Sequence, residues 1–146
     1  RADLRRADLR GAKGINKFIS TPLYILLDQT GLIRAYKIVK ASGEGIYNGG
    51  INYLATDTFE VACVDTDERN DCGAGINLAT LDWCLKEWRE GYRILIMEFS
   101  SADIACIPTG SDGKFRVHRC RKVGEKDLKE LGLIEEDKVD APQATP

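Results

Sequence analysis

The sequence predicts an α+β domain, a mostly antiparallel sheet with one main helix packed on it. Three observations carry this. Short apolar runs recur along the chain with turn residues between them, as in hairpin-connected strands. One passage, residues 80–91, has a cap, apolar residues at i, i+3, i+4 and i+7, and a closing glycine, which is a helix signature. The run YRILIMEF, residues 92–99, is apolar enough to be the central strand.

At 146 residues, 43% of them hydrophobic, the chain is one domain with a sizeable core and room for an appendage. The formal net charge of -2 points to no partner by bulk electrostatics. The distribution is uneven, however. Residues 1–17 hold six basic side chains against two acidic ones, and residues 57–71 hold six acidic against one basic. The two regions can pair between copies. The five cysteines are an odd number without a secretory apolar segment, so free thiols in a reducing compartment are expected. No stretch is long and apolar enough to span a membrane.

Residues 1–15 read RADLR, RADLR, GAKGI. Ala2, Ala7 and Ala12 recur every five residues, Leu4 and Leu9 follow two places later, and Gly14 breaks the series. This resembles the pentapeptide-repeat family, whose pentads form the sides of a right-handed β-helix with the Leu and Ala inward. The resemblance implies a stub of that β-helix before the α+β domain. An arginine-rich amphipathic helix is the alternative. Half a coil cannot bury its own core, so Leu4, Arg5, Leu9 and Arg10 are the expected assembly surface.

Residues 16–22 read as a linker and 23–133 as the α+β domain. Residues 23–27 are a continuous apolar run, expected as a buried strand that pairs with 32–40 across the turn Asp28-Gln29-Thr30-Gly31. Residues 41–50 carry Gly43, Gly45, Gly49 and Gly50 and are expected as a loop. Two more strands are expected at 51–55 and 59–64, with Phe59, Val61 and Cys63 on one face.

The passage from 64 to 88 is the densest in the chain: an acidic loop, a glycine turn around Cys72, a short strand at Ile76–Leu78 and the helix. Thr80 is the expected N-cap and Asp82 suits the helix dipole. Leu81, Cys84, Leu85 and Trp88 form the apolar face. Leu85, Trp88, Ile94, Ile96 and Phe59 are expected to be buried together. After the strand at 92–99, residues 102–108 read as an edge segment and 109–113 as a turn. Residues 114–123 read as one basic strand and 126–131 as a short helix ending at Gly132. Residues 134–146 are a polar tail.

Residues DCGAGINLAT with the helix after them, ILIMEF, and DIACIP followed by DGKFR resemble an uncharacterised domain at the C-terminal ends of phage and bacterial pentapeptide-repeat proteins. That resemblance implies cytoplasmic or virion-associated context and supplies no mechanism. GAGINLAT, helix and ILIMEF are also similar in order to the ADP-ribosyltransferase-like fold. There the nicotinamide-stacking tyrosine falls on Asn77 and the catalytic glutamate falls near Gly113 or Lys114, so the resemblance implies a lost site.

Other chemistry is poorly supported. Cys63, Cys72, Cys84, Cys106, Cys120 and His118 are ligand types, but no CxxC spacing occurs, so no structural zinc is expected. The loop DTDERND places Asp65, Asp67 and Asp71 at calcium-like spacing. Arg69, Asn70 and Ile76 then occupy positions that need an oxygen ligand, a glycine and a glutamate. Cys72 is the nucleophile candidate and His118 the base candidate, with Asp67 and Asp71 expected to disfavour the thiolate. No cofactor is expected. Candidate binding residues are Asp71, Cys72, Gly73, Gly75 and Asn77. Lys114, Arg116, Arg119 and Arg121 are candidates for contact with phosphate or an acidic partner. Nucleic acid is not expected, because Phe115 alone interleaves that basic strand.

The expected function is a non-catalytic binding or assembly module with a protein partner, either a second copy or a virion or assembly component. The alternative is an ADP-ribosyltransferase-like enzyme or inactive remnant. A polar cavity beside Asn77 favours the alternative, and a flat surface favours the module.

Overall fold

The computed structural model describes residues 7–8 and 13–135. The repeat residues Leu4, Arg5, Leu9 and Arg10 and tail residues 136–146 lie outside these. The described chain is α+β, an open sheet of seven strands with one α-helix on it. The strands are β1 (Leu32–Val39), β2 (Thr58–Glu60), β3 (Ile76–Ala79), β4 (Arg93–Ser100), β5 (Ile104–Cys106), β6 (Lys114–Val117) and β7 (Arg119–Glu125), and the helix is α1 (Leu81–Glu87). Their order across the sheet is β2-β7-β4-β1-β3-β6-β5, and every pairing is antiparallel. Among the described residues no helix is long and apolar enough to cross a membrane.

Both faces of the sheet are covered, and strand alternation sorts the side chains between them. One face carries the larger cluster, with Ala35, Val39, Phe59, Ile76, Leu78, Leu95, Met97, Phe99, Phe115 and Val117. The opposite face carries Ile38, Ala79, Trp83, Cys84 and Ile94, roofed by α1 and by Leu128, Leu131 and Leu133 from the chain after β7. The core expected from sequence is therefore divided. Phe59 and Ile94 are both buried but belong to different clusters. Leu85 and Trp88 are only partly buried, and so is Ile96. The tryptophan that α1 buries is Trp83, at 9% exposure.

Several elements differ from expectation for local reasons. Residues Pro22–Asp28 form a 3-10 helix, not a strand. Pro22 opens it and the Thr21 hydroxyl accepts from the Leu23 amide at 3.3 Å, a start that suits a helical turn. A short apolar run does not by itself separate strand from buried turn. With no partner there, β1 pairs along its whole length with β4, from Leu32↔Ser100 to Val39↔Arg93.

The run at 51–55 is a turn with one bridge, Glu44↔Asn52. The strand expected at 59–64 shrinks to Thr58–Glu60, because after Val61 donates to the His118 carbonyl the chain leaves the sheet edge. Cys63 is exposed there as a result. The basic strand breaks at exposed His118 into β6 and β7, which lie far apart in the sheet order. Residues 126–131 are turns, with a single helical bond from Leu131 to Asp127. Six residues are too few to sustain a helix unaided. The strand β4 lies inside the sheet, while the middle position belongs to β1.

Candidate functional site: a lysine pocket in the sheet seam

β1 and β3 share the single pair Tyr36↔Ala79. Beside that pair a pocket opens, lined by residues 36–38 of β1, 77–79 of β3, Trp83 of α1, Lys114 of β6, and Ile46, Tyr47, Asn48 and Cys72 from two loops. Its interior holds about 20 Å³. The interior fits roughly one water-sized group.

Two lysines dominate it. Lys37 is 9% exposed and Lys114 is 5% exposed. Lys37 belongs to the inward-facing set of β1 and is the one charged side chain of that face. Its ammonium donates to the Asn77 carbonyl at 2.8 Å and stands 4.8 Å from the centre of the Tyr53 ring. The Lys114 ammonium stands 5.8 Å from the ring centres of both Tyr47 and Trp83. Rings offer a cation their negative faces. Among the described residues, neither lysine forms a salt bridge with a carboxylate. Burial holds the Lys37 amine down at about 8, and the neighbouring Lys114 charge pushes it the same way.

The loops are shaped to reach this place. A side chain at Gly45 would meet the Asn48 carbonyl at 2.8 Å and lie 3.4 Å from the Lys37 ammonium, so a glycine lets the 43–50 loop close over the amine. That loop is folded in rather than loose: the Lys40 amide donates to Glu44 and the Tyr53 amide to Gly43, each at 2.8 Å. The Asn48 side-chain amide donates to the Cys72 sulfur at 3.7 Å. On the opposite wall the Asn77 amide donates to the Gly73 carbonyl at 3.1 Å. The side-chain oxygen of Asn77 is buried and has no hydrogen-bond partner among the described residues. Buried polar atoms are rarely left so.

Of the five expected binding residues, Cys72 and Asn77 line the pocket. Gly73 and Gly75 shape it from behind: a side chain at Gly73 would meet Asp65 at 2.5 Å and one at Gly75 would meet Val64 at 2.9 Å. Asp71 is half-buried in the adjoining turn and is not part of the lining. His118 lies at the β6–β7 break, also outside the lining, so the pocket does not bring it to Cys72.

The four basic residues expected to act together are split three ways. Lys114 enters the pocket. Arg116 is fully buried and donates to the carbonyls of Asp65, Asp67 and Asn70 at 2.8, 2.9 and 2.6 Å. It is the anchor of the acidic loop and presents nothing to solvent. Arg119 and Arg121 are exposed and pair with Asp103 and Glu98 at 2.6 and 2.9 Å. The acidic loop is closed on itself as well. Asp65 accepts from the Asp67 amide and Asn70, and Asp67 takes the Arg69 guanidinium. These bonds hold both carboxyls below their ordinary range. Among the described residues no three His, Cys, Asp or Glu side chains gather as a metal site, and all five cysteines are free.

Sequence reasoning did not single out Lys37, Tyr47, Asn48 or Trp83. The signal for Lys37 was its place at an inward position of β1 whose other inward residues, Ile33, Ala35 and Val39, are apolar. In comparison with known proteins, no family model, no curated protein and no solved structure matches this chain.

Proposed function

We propose that the chain is a non-catalytic binding and assembly module of a pentapeptide-repeat protein, and that the seam pocket takes a small anionic group. The observation that carries this is the pair of buried lysines that form no salt bridge with a carboxylate among the described residues. Two ammonium groups in a low-dielectric site repel each other, and each lacks the water that would solvate it. A carboxylate or phosphate oxygen entering the pocket relieves both penalties. Assembly is supported by the apolar side chains left exposed on the N-terminal turns, Phe18, Ile19, Ile25 and Leu27, and at the start of β1, Leu32, which a second copy can cover.

The ADP-ribosyltransferase-like reading has one observation in its favour, a polar pocket beside Asn77. The pocket's charge opposes it. Among the described residues no Asp or Glu lines the pocket, and that resemblance puts the catalytic glutamate near Gly113 or Lys114, where Lys114 supplies an ammonium instead. A lysine there repels the cationic sugar that glycosyl transfer develops, so a remnant fits better than an enzyme.

The test is thermal unfolding with acetate or phosphate against sodium chloride of equal ionic strength. Binding to the folded state raises the melting temperature with anion concentration, and Lys114→Met abolishes the rise. Equal melting curves in all three salts overturn the anion reading.

A further inference from the structure

The seam pocket is closed as it stands. Its interior of about 20 Å³ has room for one oxygen of an anion and none for the group that carries it. A wall therefore has to move before acetate or phosphate reaches the lysines. We propose that residues 46–48 are a lid over the pocket, that the bond from Tyr47 to Glu87 latches it shut, and that the anion competes with this latch. This rests on the anion reading of the pocket.

The walls differ in what holds them. β1 is paired with β4 along its whole length, and β3 with β6 from Ile76 to Ala79. Trp83 is packed in the cluster with Ile38 and Ile94. The Cys72 turn is tied from behind, by the Asn77 side-chain amide on the Gly73 carbonyl at 3.1 Å and the Asp65 amide on the Ala74 carbonyl at 2.8 Å. The tip of the 43–50 loop is held differently. Its base is fixed by the bridges Val39↔Gly45 and Glu44↔Asn52. Beyond that base, Tyr47, Asn48, Gly49 and Gly50 make no backbone–backbone hydrogen bond among the described residues. Two side-chain bonds hold the tip: the Tyr47 hydroxyl donates to the Glu87 carboxylate at 2.5 Å, and the Asn48 amide to the Cys72 sulfur at 3.7 Å. Both are exposed, and water replaces an exposed bond at small cost.

The tip is also free to turn. Gly45 precedes it and Gly49 and Gly50 follow it. Gly50 sits at φ +101° with open space where a side chain would stand, and such residues absorb the backbone change of a hinge. Ile46, Tyr47 and Asn48 all line the pocket, and the Tyr47 ring stands 5.8 Å from the Lys114 ammonium. Tyr47 itself is 59% exposed, so lifting it gives up little buried apolar area. Lys37 stays under Gly45, which belongs to the fixed base. An anion entering past the raised tip therefore meets Lys114 first.

The experiment measures acetate and phosphate binding to the full chain in the wild type, Tyr47→Phe, Glu87→Ala and the double variant. Binding is read from the rise in melting temperature with anion concentration, each protein referred to its own melting in sodium chloride of equal ionic strength. Tyr47→Phe keeps the ring over Lys114 and removes only the hydroxyl. Because the latched form excludes the anion, each single variant should bind about fivefold more tightly than the wild type. The double variant should bind no more tightly than either single one, since both changes release the same latch. Single variants that bind beside a wild type latched too firmly to bind measurably support the lid equally. Unchanged or weaker binding in Tyr47→Phe, or additive gains in the double variant, overturns the lid, and the anion pocket then stands on the binding that remains. If neither the wild type nor any variant binds, the anion reading falls and the lid with it.

Discussion

Replacing Lys37 with methionine tests the central electrostatic claim, that an ammonium is buried in the seam. In the unfolded chain this lysine titrates near 10.5, and in the fold burial lowers it to about 8. The unfolded state therefore binds more protons between those two values, and stability rises with pH across that window. At pH 7 the folded protein carries a penalty of about 3 kcal/mol for keeping Lys37 charged, and about 2 kcal/mol of it is recovered by about pH 9.5.

Other groups titrate in the same range with the opposite sign. Burial pushes the thiols of Cys84 and Cys120 up to about 12, so the unfolded chain loses those protons first and stability falls above about pH 9. The informative quantity is thus the difference between wild type and Lys37→Met. Urea unfolding at pH 7 and at about 9.5 gives it directly. The wild type should gain about 2 kcal/mol on the variant over that interval. The variant also loses the bond to the Asn77 carbonyl, but that loss is a constant offset and cancels. Parallel pH profiles would mean that Lys37 is solvated, and the account of the pocket would be wrong.

Other perturbations probe the framework. Arg116→Met removes a fully buried guanidinium that ties three loop carbonyls to β6 and should lower the unfolding free energy by about 3–5 kcal/mol; a loss under about 1 kcal/mol would show that water replaces it freely. Trp83→Ala should cost about 3–5 kcal/mol and more than Trp88→Ala, because Trp83 is the one packed under α1; the reverse order in urea midpoints would mean the helix face is misassigned. A thiol reagent should modify Cys63 and Cys72 first, since these two are exposed and the other three are buried. Phosphate should then slow Cys72 and leave Cys63 unchanged, because only Cys72 lines the pocket, and equal protection of both would count against the site.

The sequence by itself determined the α+β class, the helix and most of the interior strands, because apolar runs between turn residues and a capped apolar stretch are local signals. Ile76 and Leu78, the helix start at Thr80, and the run around Ile94 and Phe99 all lie where periodicity put them. Two of the five expected binding residues, Cys72 and Asn77, reach the pocket, because a glycine turn before a short strand was visible as residues. What tertiary structure decided was pairing. An apolar run reads the same as strand or turn until a partner exists, so residues 23–27 became a 3-10 helix and β1 went to β4. Pairing also decided charge. Lys114, Arg116, Arg119 and Arg121 look alike in sequence. One enters a pocket, one is consumed by loop carbonyls and two pair with carboxylates, Asp103 in the turn after β4 and Glu98 on β4, because a break at His118 sends the two halves of the segment to different neighbours. Lys37 became the centre of the site only when a strand 40 residues away brought the Asn77 backbone carbonyl to its amine, and no local pattern encodes a contact of that range.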